Sequence, residues 1–272
     1  MDAAFQRRIQ RYGWDKASDA YERYWSEQIA PSQQLLLEMA ELRPGERVLD
    51  VACGTGLLSI PAAEAAGPNG GVTGIDISDV MVAASARRAA QLEVTNTSFR
   101  RMGAEELRFR DGSFDAVLCA LGLMYVPEPL TALREQLRVL RRGGRAAAAV
   151  WGARDRCGWA EIFPIVDRRV KTDVCPLFFQ LGRGDALAIA FELAGFDDVR
   201  TRRISTLLRY DTAEAACGAA FAGGPVALAH ARFDARTRAE AQAEYVASIE
   251  PFRNGRGYEI PGEFVVTMGR KS

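Results

Sequence analysis

The stretch Val48-Leu49-Asp50-Val51-Ala52-Cys53-Gly54-Thr55-Gly56 narrows the possible folds more than any other part of the chain. It reads as an apolar strand running into a tight turn of small residues and then into a helix. Glycines in such a turn let backbone N–H groups approach a ligand closely. Asp50 closes the strand. A carboxylate there would repel a pyrophosphate and attract an ammonium, which favours a ligand with a cationic amino-acid tail over a dinucleotide. The dinucleotide fingerprint also wants a third glycine, and Ser59 stands in its place.

Asp76 is the second signal. It lies 20 residues after Gly56, at the end of the next strand, in Gly74-Ile75-Asp76-Ile77-Ser78. A carboxylate at this position can accept both hydroxyls of a ribose. Either aspartate taken alone could serve only to cap the following helix. Joined to the glycine turn, the two point to a nucleoside-type cofactor.

The chain around this motif alternates short apolar runs with amphipathic stretches. Strands are expected at Arg47–Val51, Val72–Ile77, Thr97–Met102, Phe114–Ala120 and Arg145–Trp151. Helices are expected at Leu57–Ala66, Asp79–Gln91 and Leu130–Leu140, the last stopped by Gly143–Gly144. Such alternation means βαβ units, whose right-handed crossovers give a parallel sheet with helices on both faces. Ahead of it, residues 1–42 read as helix in two segments, the second opened by Pro31 and Ser32. After Trp151 the pattern loosens. Helix is expected around Ile162–Val170, at Asp185–Ala194 and over 212–250 with a break at Gly223-Gly224-Pro225, and strands at Asp198–Tyr210 and Glu263–Met268. No linker or repeat divides the chain, so it reads as one domain with an N-terminal helical lid (1–42), a cofactor-binding core (45–151) and a cap insertion with C-terminal strands (152–272).

Composition excludes several classes. Equal numbers of basic and acidic residues, 35 each, argue against a nucleic-acid partner. The arginine clusters Arg7–Arg8–Arg11, Arg141–Arg142–Arg145 and Arg200–Arg202–Arg203 read as solvated faces. Five scattered cysteines, without CxxC spacing, and a single histidine argue against a metal site and for a reducing, cytoplasmic setting. No apolar run reaches the roughly 20 residues of a membrane span.

Four stretches in order resemble the class I S-adenosylmethionine (SAM)-dependent methyltransferases, in particular the ubiquinone/menaquinone-biosynthesis (type 11) group. They are VLDVACGTG at 48–56, GIDIS at 74–78, MGAEELRFRDGSFD at 102–115 and RRGGRAAAAVW at 141–151. The resemblance implies a Rossmann-like, seven-stranded, mostly parallel sheet with the last strand antiparallel. It implies SAM as cofactor and a small molecule as substrate. Carried over by position, Asp50, Gly54 and Gly56 would surround the methionine part of SAM, and the Ala52 carbonyl would face its amino group. Asp76 would hold the ribose, Ile77 and Met81 would pack on the adenine, and the Ala104 N–H would reach its ring. Cys119 and Leu121 would border the methyl-bearing sulfur, and Tyr21 and Trp25 fall where the family places a lid helix. Two positions depart from the family. Ala52 replaces the first glycine of the turn, and Gly103 replaces an acidic residue that usually accepts from the adenine amino group. That bond would be missing, moved to Glu105 or taken by water.

Beyond the cofactor the residues speak less clearly. Met124 and Tyr125 are placed to wall the acceptor site, where the family often has histidines. Phe163 and Phe178 belong to an apolar cap set with Ile165, Val166, Val174, Leu177 and Phe179, which suggests a hydrophobic or aromatic acceptor but could equally pack the cap on the core. Aromatics at helical spacing, Tyr21 and Trp25 included, also serve as core. Cys119 reads as a small buried hydrophobe rather than a nucleophile, having no neighbouring base. No residue is assigned a catalytic role, and no oligomeric state follows. A quinone-ring C-methyltransferase, an RNA or protein methyltransferase and a non-catalytic SAM-binding protein stay open beside the small-molecule reading.

Overall fold

A computed structural model describes residues 3–170 and 178–272. Helix α1 (Ala3–Ala40) leads into the alternating core: β1 (Arg47–Val51), α2 (Ser59–Ala66), β2 (Gly71–Asp76), α3 (Asp79–Gln91), β3 (Thr97–Arg101), β4 (Phe114–Ala120), α4 (Pro129–Val139) and β5 (Leu140–Trp151). Then follow α5 (Ile162–Asp167), α6 (Ala186–Ala194), β6 (Asp197–Tyr210), α7 (Ala213–Cys217), α8 (Ala227–His230), α9 (Ala235–Ile249), β7 (Arg253–Asn254) and β8 (Gly257–Arg270). The strands form one sheet in the order β3-β2-β1-β4-β5-β8-β6, with the two-residue β7 paired to β8. The five core strands are parallel, and β8 enters antiparallel between β5 and β6. This is the Rossmann-like sheet expected, with the short β7 as an eighth strand.

Strand order reverses between β1 and β4, and ligands of open α/β sheets bind outside the carboxyl ends of the strands at such a switch point. Register sets what stands there. Asp50 pairs with Gly74 of β2 and with Leu118 of β4, so the ends of β1, β2 and β4 open side by side. Val48, Leu49 and Val51 are fully buried, as a strand covered on both faces requires.

Three expectations need correction. Pro31 does not divide the N-terminal segment; α1 runs through it. Proline removes one helical N–H, but Ile29, Ser32, Leu35 and Leu36 are all buried there, and Ser32 Oγ returns a hydrogen bond to the Ile29 carbonyl at 2.7 Å. Packing therefore outweighs the local break. Gly143 and Gly144 do not end an element either. They sit inside β5, where Gly143 takes φ +72° and the register against β4 slips between Phe114 and Ala116. Finally, Arg145 is no solvated residue. It forms a buried two-pronged pair with Glu46 at 2.6 Å and donates to the Ala40 and Glu41 carbonyls. A cation so placed satisfies the open C-terminal carbonyls of α1. Several other arginines of these clusters do hold surface partners: Arg141 on Asp115, Arg200 on Asp198 and Arg202 on Glu38.

The middle of α1 belongs to the core. Trp25 is buried, packs against Trp151 and Trp159 with ring centroids 5.8 and 5.9 Å away, and donates its Nε1–H to the Ala219 carbonyl at 3.1 Å. Trp25→Ala is therefore expected to destabilise the fold by about 3–5 kcal/mol. A fall in the urea midpoint checks this, and an unchanged midpoint would show that the ring covers the sheet without stabilising it.

Candidate functional site

The ends of β1, β2 and β4 form the floor of a cleft of about 950 Å³, roofed by the N-terminal half of α1. Asp50, Ala52, Gly54, Asp76, Ile77, Met81, Gly103, Ala104, Glu105, Leu121, Tyr21 and Tyr125 all line it. Residues 70 or more positions apart in the chain thus meet in one place. Gly56, Cys119 and Trp25 stand off the cleft. Gly56 takes φ +83° and a Cβ on it would meet Ser85 Cβ at 3.0 Å, so its task is to let the turn pack on α3. Cys119 is buried behind the wall, where burial pushes its thiol up to about 12 and keeps it protonated. Other lining residues escaped the sequence reading: Thr55 in the turn, and Arg7 and Gln10 on α1. Trp14 lines the cleft as well, on one helical stripe with Tyr21 and Trp25, as expected of a lid aromatic.

Two buried carboxylates dominate the floor. Asp76 accepts from the Gly54 N–H at 3.0 Å and from the Ser78 N–H at 2.9 Å. Asp50 accepts from Ser59 Oγ at 2.5 Å, so the residue standing where a third glycine would be serves the aspartate. Burial pushes the Asp50 carboxyl up to about 7, helped by the nearby Asp76 charge, and pushes Asp76 up to about 6. Among the described residues no basic side chain pairs with either. Loop geometry sharpens the site further. Ala52 and Leu121, at the ends of β1 and β4, both hold φ +58°, and a Cβ on Gly122 would fall 2.5 Å from that of Ala52. Non-glycine residues in this region cost energy and cluster at ligand clamps.

Helix α1 is fastened over the cleft by a row of polar contacts. Arg7 bonds Glu105 at 2.9 Å, Arg11 bonds Asp79 at 2.8 Å, Asp15 accepts from Ser78 Oγ at 2.5 Å, and Glu22 pairs with Arg88. Positions 7, 11 and 15 follow the four-residue spacing of one helix face. Glu105 also accepts from the Glu128 N–H, so both its oxygens have partners. Gly103, by contrast, faces open space: a Cβ there would meet nothing within 4 Å.

A second chamber of about 350 Å³ adjoins the cleft and shares Trp14, Tyr21, Leu121 and Tyr125 with it. Trp25, Met124, Trp151, Trp159 and Phe178 complete most of its wall, closed by the turn Gly223-Gly224-Pro225. Phe163 lies outside this chamber but packs on Phe178 at 4.8 Å. Val174, Cys175 and Leu177 fall outside the described residues.

Comparison with known proteins gives the arrangement a family. A methyltransferase-domain family matches residues 48–144. Nocamycin O-methyltransferase of Saccharothrix syringae is 30% identical over 229 residues, covering 78% of this chain and 80% of that protein. The chain belongs to the SAM-dependent methyltransferases. Aklanonic acid methyltransferase DauC of Streptomyces sp. (strain C5) is 34% identical over 147 residues, and a demethylmenaquinone methyltransferase of Listeria monocytogenes is 37% identical over 127. These matches span 54% and 47% of this chain, and only 66% and 54% of those relatives' own length. The crystal structure of Haemonchus contortus phosphoethanolamine N-methyltransferase 2, in complex with phosphomonomethylethanolamine and S-adenosylhomocysteine, shares the fold at a TM-score of 0.62. It covers 95% of this chain and 58% of that one at 14% identity.

The residues present fit the family's cofactor. A Cβ on Gly54, at φ +55°, would meet no protein atom within 4 Å, so the turn leaves ligand-sized space above it. Thr55 Oγ1, buried at the same turn, has no hydrogen-bond partner. The carboxylate pair lacks a cation, and SAM carries an ammonium and a sulfonium. A carboxyl raised in the folded state binds its proton more tightly there than in the unfolded chain. Stability without ligand should accordingly fall as pH rises from the ordinary carboxylate range through about 6 and about 7. A cation binds the ionised pair, which reverses the trend for binding. SAM affinity is expected to rise with pH, by up to about tenfold per unit between pH ~6 and ~7 and more steeply below, and to level off above pH ~7. Titration calorimetry across this range checks it, and a flat profile would mean that the carboxylates do not meet the cationic ligand.

Proposed function

We propose that the protein transfers a methyl group from SAM to a small apolar or aromatic metabolite. In this reading the chain works as one methyltransferase domain, with residues 1–42 as lid, 45–151 as cofactor core and 152–272 as cap. The observation that carries it is the shared wall. Four side chains border both the carboxylate-floored cleft and the ring-lined chamber, so a ligand in each would be neighbours across Trp14, Tyr21, Leu121 and Tyr125.

Bound SAM supplies a methyl group already activated on a sulfonium. What the chain must add is proximity, alignment and exclusion of water. Asp76, Asp50 and Thr55 would hold the cofactor. Tyr125, wedged edge-on between Trp14 at 5.0 Å and Phe178 at 5.4 Å, would fix the acceptor's approach. Burial pushes the Tyr21 hydroxyl far above its ordinary range, so it stays protonated and can only orient. Among the described residues no carboxylate or imidazole lines the chamber. The acceptors it suits are those whose attacking atom is nucleophilic without a protein base.

The match to nocamycin O-methyltransferase covers 78% of this chain and must run well into the cap, which supports a small metabolite as acceptor. Zero net charge supports a small molecule over nucleic acid, and the described cysteines, all free and buried, support a reducing cytoplasmic setting. No helix among the described residues is long and apolar enough to cross a membrane.

Labelled SAM offered with fractionated lysate metabolites should yield a methylated apolar or aromatic product, identified by mass. Label passing instead to RNA or protein would overturn the proposal. So would calorimetric SAM binding without transfer to any fraction, which is the behaviour of a non-catalytic SAM-binding protein.

A further inference from the structure

One residue of the chamber wall carries a polar group that the protein leaves unsatisfied. Trp159, just ahead of α5, is 4% exposed, and its Nε1–H has no hydrogen-bond partner. Its ring stands edge-on to Trp151 at 4.9 Å, Phe178 at 5.6 Å and Trp25 at 5.9 Å. Trp25 lines the same chamber, and there the protein does provide for the indole, through the Ala219 carbonyl at 3.1 Å. An indole nitrogen is a donor only, and buried ones usually find an acceptor. The other buried polar atoms without partners that lie away from the cofactor turn, on Arg11, Gln136, Tyr210 and His230, do not line this chamber.

The surroundings say what kind of acceptor would suit Trp159. The described lining carries no charged side chain, so nothing there would balance a charged ligand group. A neutral oxygen fits: a carbonyl, ether or hydroxyl. Tryptophan, tyrosine and phenylalanine rings make up most of the wall, and their flat faces and edges favour a planar ring system. The space inside the wall, about 350 Å³ counted together with its open mouth, limits a ligand to one or two fused rings.

We propose that the chamber binds a planar aromatic acceptor bearing a neutral oxygen, and that Trp159 selects this class by donating its Nε1–H to that oxygen. The proposal rests on the methyltransferase reading above, because it takes the chamber as the acceptor site. Trp159 would then fix the orientation of the rings toward Tyr125 and the shared wall. It touches the substrate without taking part in the bond changes.

The test uses naphthoquinone and naphthalene as probes, of similar shape but with and without oxygen, on the full chain saturated with S-adenosylhomocysteine. The wild type should bind naphthoquinone more tightly, by about tenfold. Trp159→Phe keeps a ring and removes the donor. It should erase that preference while keeping naphthalene and S-adenosylhomocysteine affinity. A second readout needs no folded variant: in the ¹⁵N-tryptophan spectrum of the wild type, the Trp159 indole proton should move downfield with naphthoquinone and not with naphthalene. A preference that survives in Trp159→Phe, or an indole proton indifferent to naphthoquinone, would overturn the proposal and leave the N–H resting on a neighbouring ring face. Binding of S-adenosylhomocysteine without binding of either probe would also overturn it. Failure of S-adenosylhomocysteine itself to bind would overturn the methyltransferase reading beneath it.

Discussion

Two carboxylates buried side by side without a cation govern the architecture of this protein's cofactor end. Asp50 ends β1 and Asp76 ends β2, and the parallel register between those strands holds them at the same rim of the sheet. Everything near them is arranged to keep them tolerable. Ser59 gives Asp50 a hydroxyl, and the turn gives Asp76 two backbone N–H groups. Those bonds lower the cost of burial, yet both carboxyls remain shifted upward. Elsewhere in the molecule the described buried acid Glu46 has its arginine at 2.6 Å. The contrast marks the cleft as a place where the missing positive charge comes from a ligand, as the family's cofactor would provide.

Helix α1 joins this electrostatic site to the aromatic chamber. Its first turns are fastened by Arg7, Arg11 and Asp15 to the rim of the cleft, through one exposed and two half-buried polar contacts that are each worth little beside ring packing. Its middle, from Trp25 onward, is bound by ring packing and by burial of Ile29, Leu35 and Leu36. One helix therefore has a weakly held roof and a strongly held base. That division suits a lid, since an element that must admit ligands has to be drawn from the less stable part of a fold. Trp14, between the two regimes, contributes to both cavities.

Much of this was legible in the sequence because it is written in local pattern. The boundaries of β1, α3 and β4 follow from apolar runs and turn residues, and the sequence 48–56 carries the cofactor turn in consecutive letters. Asp50, Asp76, Gly54 and Leu121 could be placed because each stands at the end of a strand or in the turn that follows it, where position alone decides what it faces. Other residues depend on distant partners. Trp25 was readable as a helical aromatic, but whether such a stripe covers a cofactor or a core depends on Trp151 and Trp159, over a hundred residues away. Arg145 looks like one of a surface cluster until the C-terminus of α1 is brought against it. Trp159 gave no signal at all, because a missing hydrogen bond is a property of three-dimensional surroundings and not of spacing.

The charge on Asp76 is the most direct point of attack on this account. Asp76→Asn keeps an oxygen able to accept from the Gly54 N–H while removing the negative charge. Titration calorimetry with SAM at a pH above the shifted carboxyl ranges should show affinity reduced by about tenfold to a hundredfold, with the melting transition preserved. Equal affinities for wild type and variant would contradict the claim that the buried carboxylate pair is the anchor of the cofactor.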